Sequence, residues 1–290
     1  MAWEHKVAGV SAANISKVAG VAKASIEKVA GVGHLFTPAD ITTVLWLDAA
    51  DESTIQGSGD PFLVDGIDDK SGNGYDFNEA SPHKPYSGER TINGINCISP
   101  NASGAWGMGR DAADNLPLLG LDVTWFFVVD PDGESSQSKF FQSSPYYTGP
   151  QNEINGMPHV SAYWRHECRD SGDTAHTAVS DIQSGDAPVM GDIERNSGDD
   201  LVYFNKNGGA SSDSQAFNAT DLRTASGQTA QLLSYYGSNL SDSLFGELII
   251  VNSILSAVNK AKMQGYLAHK WGLEANLPSD HPYKNHAPWA

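Results

Sequence analysis

The most constraining feature of this sequence is a run of seven β-branched and aromatic residues, Val123–Val129, in which the only polar side chain is a threonine. Such a run is typical of a strand that is buried on both faces of its sheet. Comparable runs recur between turns rich in Gly, Asn and Asp; they are Thr43–Leu47, Ile95–Ile98, His159–Cys168, Leu201–Phe204 and Leu244–Val251. The pattern predicts an all-β fold, an antiparallel sandwich or barrel.

One segment has the period of a helix instead. Beyond Ser256, the apolar residues from Ala257 to Trp271 are spaced by three and four positions. Ser256 is a suitable N-cap, and Gly272 is a suitable C-terminal stop. We therefore expect a single amphipathic helix that packs against the sheets. Trp46, Trp125 and Trp271 lie in core-like patterns, and we expect them to be buried.

The first 34 residues form a repeat. KVAGV begins at Lys6, Lys17 and Lys28, a period of 11 residues. A glycine in every copy disfavours a continuous helix, and short repeats are unstable without neighbours. Residues 1–34 are therefore predicted to be an arm that orders by docking, and 35–290 to be the sandwich. The predicted docking residues are Lys6, Val7, Val10, Lys17, Val18, Val21, Lys28, Val29 and Val32. A flexible linker or a local array of turns is the alternative.

Charge and composition exclude several classes. The net charge is −17, from 18 basic and 35 acidic residues, so nucleic acid and anionic membranes are unfavourable partners. No apolar run is long enough to span a membrane. Charges interrupt the early apolar runs, so we expect no signal peptide. We therefore expect synthesis in the cytoplasm. The two cysteines, Cys97 and Cys168, provide neither a disulfide framework nor metal-ligand spacing.

Several segments resemble known domains. Leu45–Asp51 and Asp69–Gly74 resemble the opening of concanavalin A-like lectin/glucanase domains of the laminin G (LamG) type. Glu247–Val251 and Gly265–Leu273 resemble the end of a variant that is common in bacteriophage and environmental bacterial proteins. The KVAGV arm resembles short N-terminal repeats of virion structural proteins from tailed phages. The resemblance implies a jelly-roll sandwich displayed on the virion surface as a homo-oligomer such as a trimer.

These resemblances imply a non-enzymatic virion protein. Its arm would bind other virion proteins of the tail, baseplate or capsid, and its sandwich would bind host-surface glycans as part of a tail fibre or spike. One alternative is a capsid decoration protein or head fibre without glycan binding. Another is a glycan hydrolase, although the Glu-x-Asp-x-x-Glu spacing of glycanases on this fold is absent. A non-viral adhesin is a further alternative.

Candidate sugar contacts are aromatic residues, because saccharide sites combine aromatic faces with polar groups. Trp106, Tyr146 and Tyr147 lie in loop-like sequence, and Trp164 is a fourth candidate.

Candidate metal ligands are acidic, because LamG-like domains often hold one calcium ion at the rim. The candidate calcium ligands are Asp130, Asp132, Asp192, Asp199 and Asp200. The triplet His166–Cys168 places two ligand types on one strand face, but two ligands do not make a zinc site. We interpret it as a strand residue and a buried thiol.

Overall fold

A computed structural model gives the fold. It describes the chain except residues 1–16, 19–20, 23–33, 59–61, 79–83, 101–107, 111–121, 132–140, 146–162, 170–173, 184–186, 210–212, 218–227, 233, 236–238 and 241–242. The arm prediction therefore falls almost wholly outside the described residues. Within its second copy, Lys17–Val18 pairs antiparallel with Val21–Ala22. Docking of the arm stays a prediction.

The described residues form twenty strands and one α-helix. The strands are β1 (Lys17–Val18), β2 (Val21–Ala22), β3 (Leu45–Asp48), β4 (Ile55–Ser58), β5 (Phe62–Ile67), β6 (Phe77–Asn78), β7 (Tyr86–Ile92), β8 (Ile95–Ser99), β9 (Met108–Arg110), β10 (Val123–Asp130), β11 (Phe141–Pro145), β12 (Tyr163–Arg169), β13 (Ala175–Gln183), β14 (Val189–Asn196), β15 (Leu201–Lys206), β16 (Asp213–Ala216), β17 (Gln228–Leu232), β18 (Ser234–Tyr235), β19 (Asn239–Leu240) and β20 (Leu244–Val251). The helix, α1, spans Ala257–Lys270. Short 3₁₀ turns cover Pro38–Asp40, Glu52–Thr54 and Glu274–Asn276.

Antiparallel pairing joins most strands into one continuous path. Its order is β11-β17-β9-β6-β5-β7-β8-β20-β10-β14-β15-β16, with β3 added to β20 and β4 to β5. The strands β12 and β13 form a separate hairpin. The fold is an antiparallel jelly-roll-like sandwich with one C-terminal helix, which confirms the predicted fold class.

The central strands are apolar on both faces because each face has its own core. Along β10, Trp125, Phe127 and Val129 point into the core between the layers of the sandwich. The alternate residues Phe126 and Val128 point into a second core that α1 covers. Side chains alternate between the faces of a strand, so both sets must be apolar. This is the reason for the continuous apolar run that the sequence shows.

Most predicted elements are confirmed, with shifts at their ends. The last strand, β20, is Leu244–Val251, as predicted, whereas β3 is Leu45–Asp48 rather than the predicted Thr43–Leu47. The strand predicted over 159–168 is described only from Tyr163. Its end extends to Arg169, because pairing with β13 continues to that residue.

The helix begins and ends as predicted. The Ser256 hydroxyl accepts a hydrogen bond from the backbone N–H of Asn259 at 3.2 Å, which satisfies one N-terminal donor. At the other end Gly272 has a φ of +65°, a left-handed conformation that glycine adopts without strain. Trp46, Trp125 and Trp271 are at most 7% exposed, so their predicted core roles are confirmed.

A buried carboxylate attaches α1 to the sheet. Glu247 on β20 is 0% exposed and accepts hydrogen bonds from Trp46 Nε1 and Trp271 Nε1, each at 2.7 Å. Tyr266 Oη donates to it at 2.9 Å, and Lys270 Nζ lies 2.7 Å away. Both partners from α1 are in its last two turns. A buried charge requires such compensation, so the C-terminal half of α1 has one position on the sheet.

The network continues to a second buried carboxylate. Asp48 lies opposite Glu247 across the β3–β20 pair. Its two oxygens accept from Lys270 Nζ at 2.5 Å and Lys70 Nζ at 2.7 Å. Lys70 also contacts Asp51, which lowers the pKa of Asp51 to about 2. Burial alone would lower the pKa of Lys70, but the carboxylates of Asp48 and Asp51 outweigh it and raise that pKa.

Among the described residues, α1 is too short and too polar to cross a membrane, and no other helix there qualifies.

Replacing the buried carboxylate should destabilise the protein strongly. Glu247→Gln removes the charge that compensates Lys270, and its amide presents hydrogens to donors. Removing one partner of a buried ion pair costs about 3–5 kcal/mol, and we expect a loss of that size in the free energy of unfolding, measured by urea denaturation. The exposed Glu89 provides the matched control, Glu89→Gln, which should behave as wild type. A Glu247→Gln protein as stable as the control would contradict this role.

Candidate functional site

A cavity of about 350 Å³ lies between the N-terminal half of α1 and the strands β14 and β15. Its lining residues are Glu194, Tyr203, Asn205, Gly208, Gly209, Ala257, Lys260, Ala261 and Gln264. The register of β14 against β15 explains how the strand residues of the lining meet. Asp192 is opposite Asn205, and Glu194 is opposite Tyr203, so two cross-strand pairs face the helix.

Asp192 lies behind this lining and orients it. It is 1% exposed, and its Oδ1 accepts from Asn205 Nδ2 at 2.7 Å while Oδ2 accepts from Gln264 Nε2 at 2.8 Å. His281 Nε2 is 3.2 Å from the Gln264 carbonyl oxygen. Burial raises the pKa of Asp192, although Lys260 and the two amides oppose the effect. The two amide side chains are therefore held in fixed orientations.

Lys260 extends from α1 toward the two carboxylates. Its Nζ is 3.0 Å from Glu194 Oε2 and 3.4 Å from Asp192 Oδ1. Burial alone would lower the pKa of Lys260, but the charges of Asp192 and Glu194 outweigh it and raise that pKa. Lys260 thus stays protonated inside the cavity wall, and its charge is already compensated.

Tyr203 provides the aromatic part of the wall. Its ring is partly exposed, and its hydroxyl donates to Asp199 Oδ2 at 2.9 Å. That hydrogen bond raises the pKa of Tyr203. At the opposite side of the lining, Gly208 has a φ of +69°, and a Cβ there would be 2.7 Å from Leu277. The turn after β15 therefore requires glycine where it meets the C-terminal segment.

The predicted sugar-binding aromatic residues do not form this site. Trp106, Tyr146 and Tyr147 lie outside the described residues. The prediction for Trp164 is wrong, because this residue is 0% exposed and packs on Phe127, with ring centroids 5.2 Å apart. Gly191 makes room for the contact, since a Cβ there would be 2.5 Å from Trp164.

The predicted calcium ligands are not brought together. Asp132 lies outside the described residues, and Asp130 ends β10 beside the start of β14. Asp199 and Asp200 follow the end of β14, at the opposite end of this strand pair. Asp192 is already bonded to Asn205, Gln264 and Lys260. The part of the chain that the structure describes has no group of three or more His, Cys, Asp or Glu side chains able to hold a metal ion.

His166 lies on β12, which confirms its interpretation as a strand residue, and the structure places it in the core. The side chain of Cys168 is outside what the structure describes, so the buried thiol stays a prediction. His166 is 0% exposed, and its ring centroid is 6.0 Å from that of Trp125 and 5.4 Å from that of Phe217. Neither ring nitrogen has a hydrogen-bond partner among the residues that the structure describes. Burial, with the nearby charge of Arg195, holds the pKa of His166 well below its usual value. The imidazole is therefore neutral inside the sandwich.

Five side chains of the cavity were missed from the sequence; they are Glu194, Tyr203, Asn205, Lys260 and Gln264. A signal was present. Asp192 and Glu194 are acidic residues at alternate positions of β14, and Lys260 and Gln264 are four residues apart on one helix face. Asn205 follows the predicted strand Leu201–Phe204 directly, but β15 continues to Lys206, and the turn comes at Asn207 and Gly208.

Comparison with known proteins identifies a shared fold. No family model matches the sequence, and no curated protein matches it either. Among solved structures, the chain is similar to Domain 4 of AbnA, a GH43 extracellular arabinanase from Geobacillus stearothermophilus, in complex with arabinotriose. The TM-score is 0.54 at 12% identity, over 77% of this chain and 98% of that one. The binding domain of Botulinum neurotoxin serotype G has a TM-score of 0.50 at 11% identity, over 77% of this chain and 50% of that one.

The buried imidazole should make stability depend on pH. In the unfolded chain His166 binds a proton near pH 6.5, whereas burial lowers its pKa well below that value in the folded state. The unfolded state therefore binds more protons, and the free energy of unfolding decreases as the pH falls below 6.5. His166→Phe should remove this loss, which is at most about 1.4 kcal/mol per pH unit. Urea denaturation at pH 7.5 and 5.0 measures the difference between variant and wild type.

The exposed His286 provides the control for this experiment. His286→Gln should lose as much stability as wild type between pH 7.5 and 5.0. An equal loss in His166→Phe would contradict the assignment of the pH dependence to His166.

Proposed function

We propose that this protein is a non-enzymatic carbohydrate-binding protein, and that the cavity beside α1 is its sugar site. The observation that carries the proposal is the arrangement of Tyr203 beside the buried amides of Asn205 and Gln264. Sugars present hydroxyl groups and apolar ring faces, so they bind where an aromatic ring and fixed polar side chains converge. The cavity volume is in the range of small-molecule sites.

The fold supports this function. The solved arabinanase domain with the same sandwich architecture contains arabinotriose. The neurotoxin neighbour is itself a binding domain. Sandwich domains host many functions, so the argument for this chain depends on its own cavity and not on the likeness.

The bonds around the carboxylates disfavour hydrolysis. A glycosidase needs one carboxyl group as proton donor and a second as nucleophile or base. Asp192 and Glu194 both contact Lys260, and both oxygens of Asp192 accept hydrogen bonds from amides. The other buried pair, Asp48 and Glu247, is enclosed by lysine, tyrosine and tryptophan donors.

We further propose that the protein is displayed on a phage particle, where the KVAGV arm binds other virion proteins and the sandwich binds a host-surface glycan. The support is the threefold repeat and its resemblance to virion proteins. Repeated display would multiply weak contacts, so that each site needs only a low affinity. A decoration role, in which the arm binds the shell and no sugar is bound, is the second candidate. It is favoured by the lysine and valine pattern of the three copies.

Sugar binding by the full-length chain tests the proposal. We expect binding at millimolar or lower concentration to members of a panel of host polysaccharides and oligosaccharides, detected by saturation-transfer NMR. Tyr203→Ala should reduce the affinity at least tenfold, because the aromatic wall is lost. Val258→Ala, at an exposed helix position outside the lining, is the matched control and should bind as wild type.

Four further readouts separate the alternatives. Loss of binding in a calcium chelator would establish the predicted calcium requirement. Binding that survives Tyr203→Ala but not Trp106→Ala would show that sugar binds at the predicted loop aromatic residues instead of the cavity. Release of reducing sugar would support a hydrolase, and no binding even to multivalent glycans would overturn the sugar-binding function in favour of the decoration role.

A further inference from the structure

We propose that the cavity selects uncharged sugars and excludes sugars that carry a carboxylate. This inference rests on the proposed sugar-binding function and specifies the ligand class of the same site. It follows from how the charges in the cavity wall are arranged. The lining contains two charged residues, Glu194 and Lys260, and the buried carboxyl group of Asp192 lies behind them.

The charge of the lysine in the lining is already compensated. Lys260 is the one cationic residue among the described residues that line the cavity. Its ammonium group is within 3.4 Å of both carboxylates. A sugar carboxylate that reached the third ammonium hydrogen would share one positive charge with the two carboxylates already beside it, and it would be repelled by both of them. The binding free energy of an anionic sugar is therefore unfavourable relative to that of a neutral one.

The acidic side chains repel an anion directly. Glu194 lines the cavity and is 8% exposed, so little solvent screens its charge from a ligand. The net charge of the chain, −17, adds a repulsive field of the same sign. Such unfavourable contacts are a general source of specificity, because they weaken one ligand without affecting its neutral counterpart.

A neutral sugar meets no such penalty. Its hydroxyl groups donate as well as accept, so they can bond to carboxylate and amide oxygens and to amide N–H groups alike. Asp192 already fixes Asn205 and Gln264, so a ligand does not have to order these side chains. Tyr203 can pack against the apolar face of a sugar ring.

Matched sugar pairs test the selectivity. The methyl glycosides of galactose and galacturonic acid differ in that a free carboxylate replaces the hydroxymethyl group. The methyl glycosides of glucose and glucuronic acid form a second such pair. We would measure their dissociation constants for the full-length protein at pH 7.5 by NMR titration. The neutral member of at least one pair should bind at least tenfold more tightly than the acidic member. In 0.5 M salt, screening should reduce this ratio.

Glu194→Gln tests the assigned cause. This variant removes one negative charge and one partner of Lys260, so the preference for the neutral sugar should fall about tenfold. Glu89→Gln changes the net charge equally at a position outside the cavity lining, and should keep the wild-type preference. If Glu194→Gln does not fold, the salt dependence of the wild-type ratio still tests the repulsion from the net charge of the chain.

The outcomes distinguish the two proposals. Equal or tighter binding of the acidic sugars by wild type would overturn the selectivity and leave sugar binding intact. Selectivity that is unchanged in Glu194→Gln and in high salt would overturn its electrostatic cause. Binding of neither member of either pair, and of no other sugar in the panel, would overturn the sugar-binding function itself.

Discussion

The position of α1 depends on the compensation of one buried carboxylate. Glu247 lies in the middle of a strand that is otherwise apolar, and four donors converge on its carboxyl group. Burial raises the pKa of Glu247, and Lys270 and the hydrogen bonds oppose that effect. The donors come from β3 and from the last turns of α1 and the residue after it. Because a buried charge without partners is costly, the network permits one arrangement of helix and sheet. The helix in turn covers the second core.

A similar rule applies at the other end of the helix. There, Asp192 and Glu194 on β14 are compensated by Lys260 of α1, as Asp48 and Glu247 are by Lys270. The two ends differ in packing. Tryptophan and tyrosine side chains fill the space around Glu247, whereas small residues of α1, Ala257 and Ala261, leave a cavity beside Glu194. The same type of ion pair is thus structural in one place and lines a candidate binding site in the other.

This arrangement links stability and binding. The polar groups of the cavity are fixed by bonds that also hold the helix on the sheet, so the site is rigid before a ligand enters. Preformed sites lose little conformational entropy on binding, which favours ligands with many directional hydroxyl groups. The helix is therefore both a cover for the core and one wall of the candidate sugar site.

The sequence by itself determined the helix with its caps and the strands that have a continuous apolar run, because periodicity, N-cap and glycine signals act over a few neighbouring residues. It also identified Trp46, Trp125 and Trp271 as core residues. Only the tertiary structure decided the site. Asp192 and Gln264 are 72 residues apart and bond to each other because the chain folds α1 onto β14. Trp164 looked like a ligand contact and is buried for the same reason. Which side chains meet is set by packing over long separations, and local patterns do not encode it.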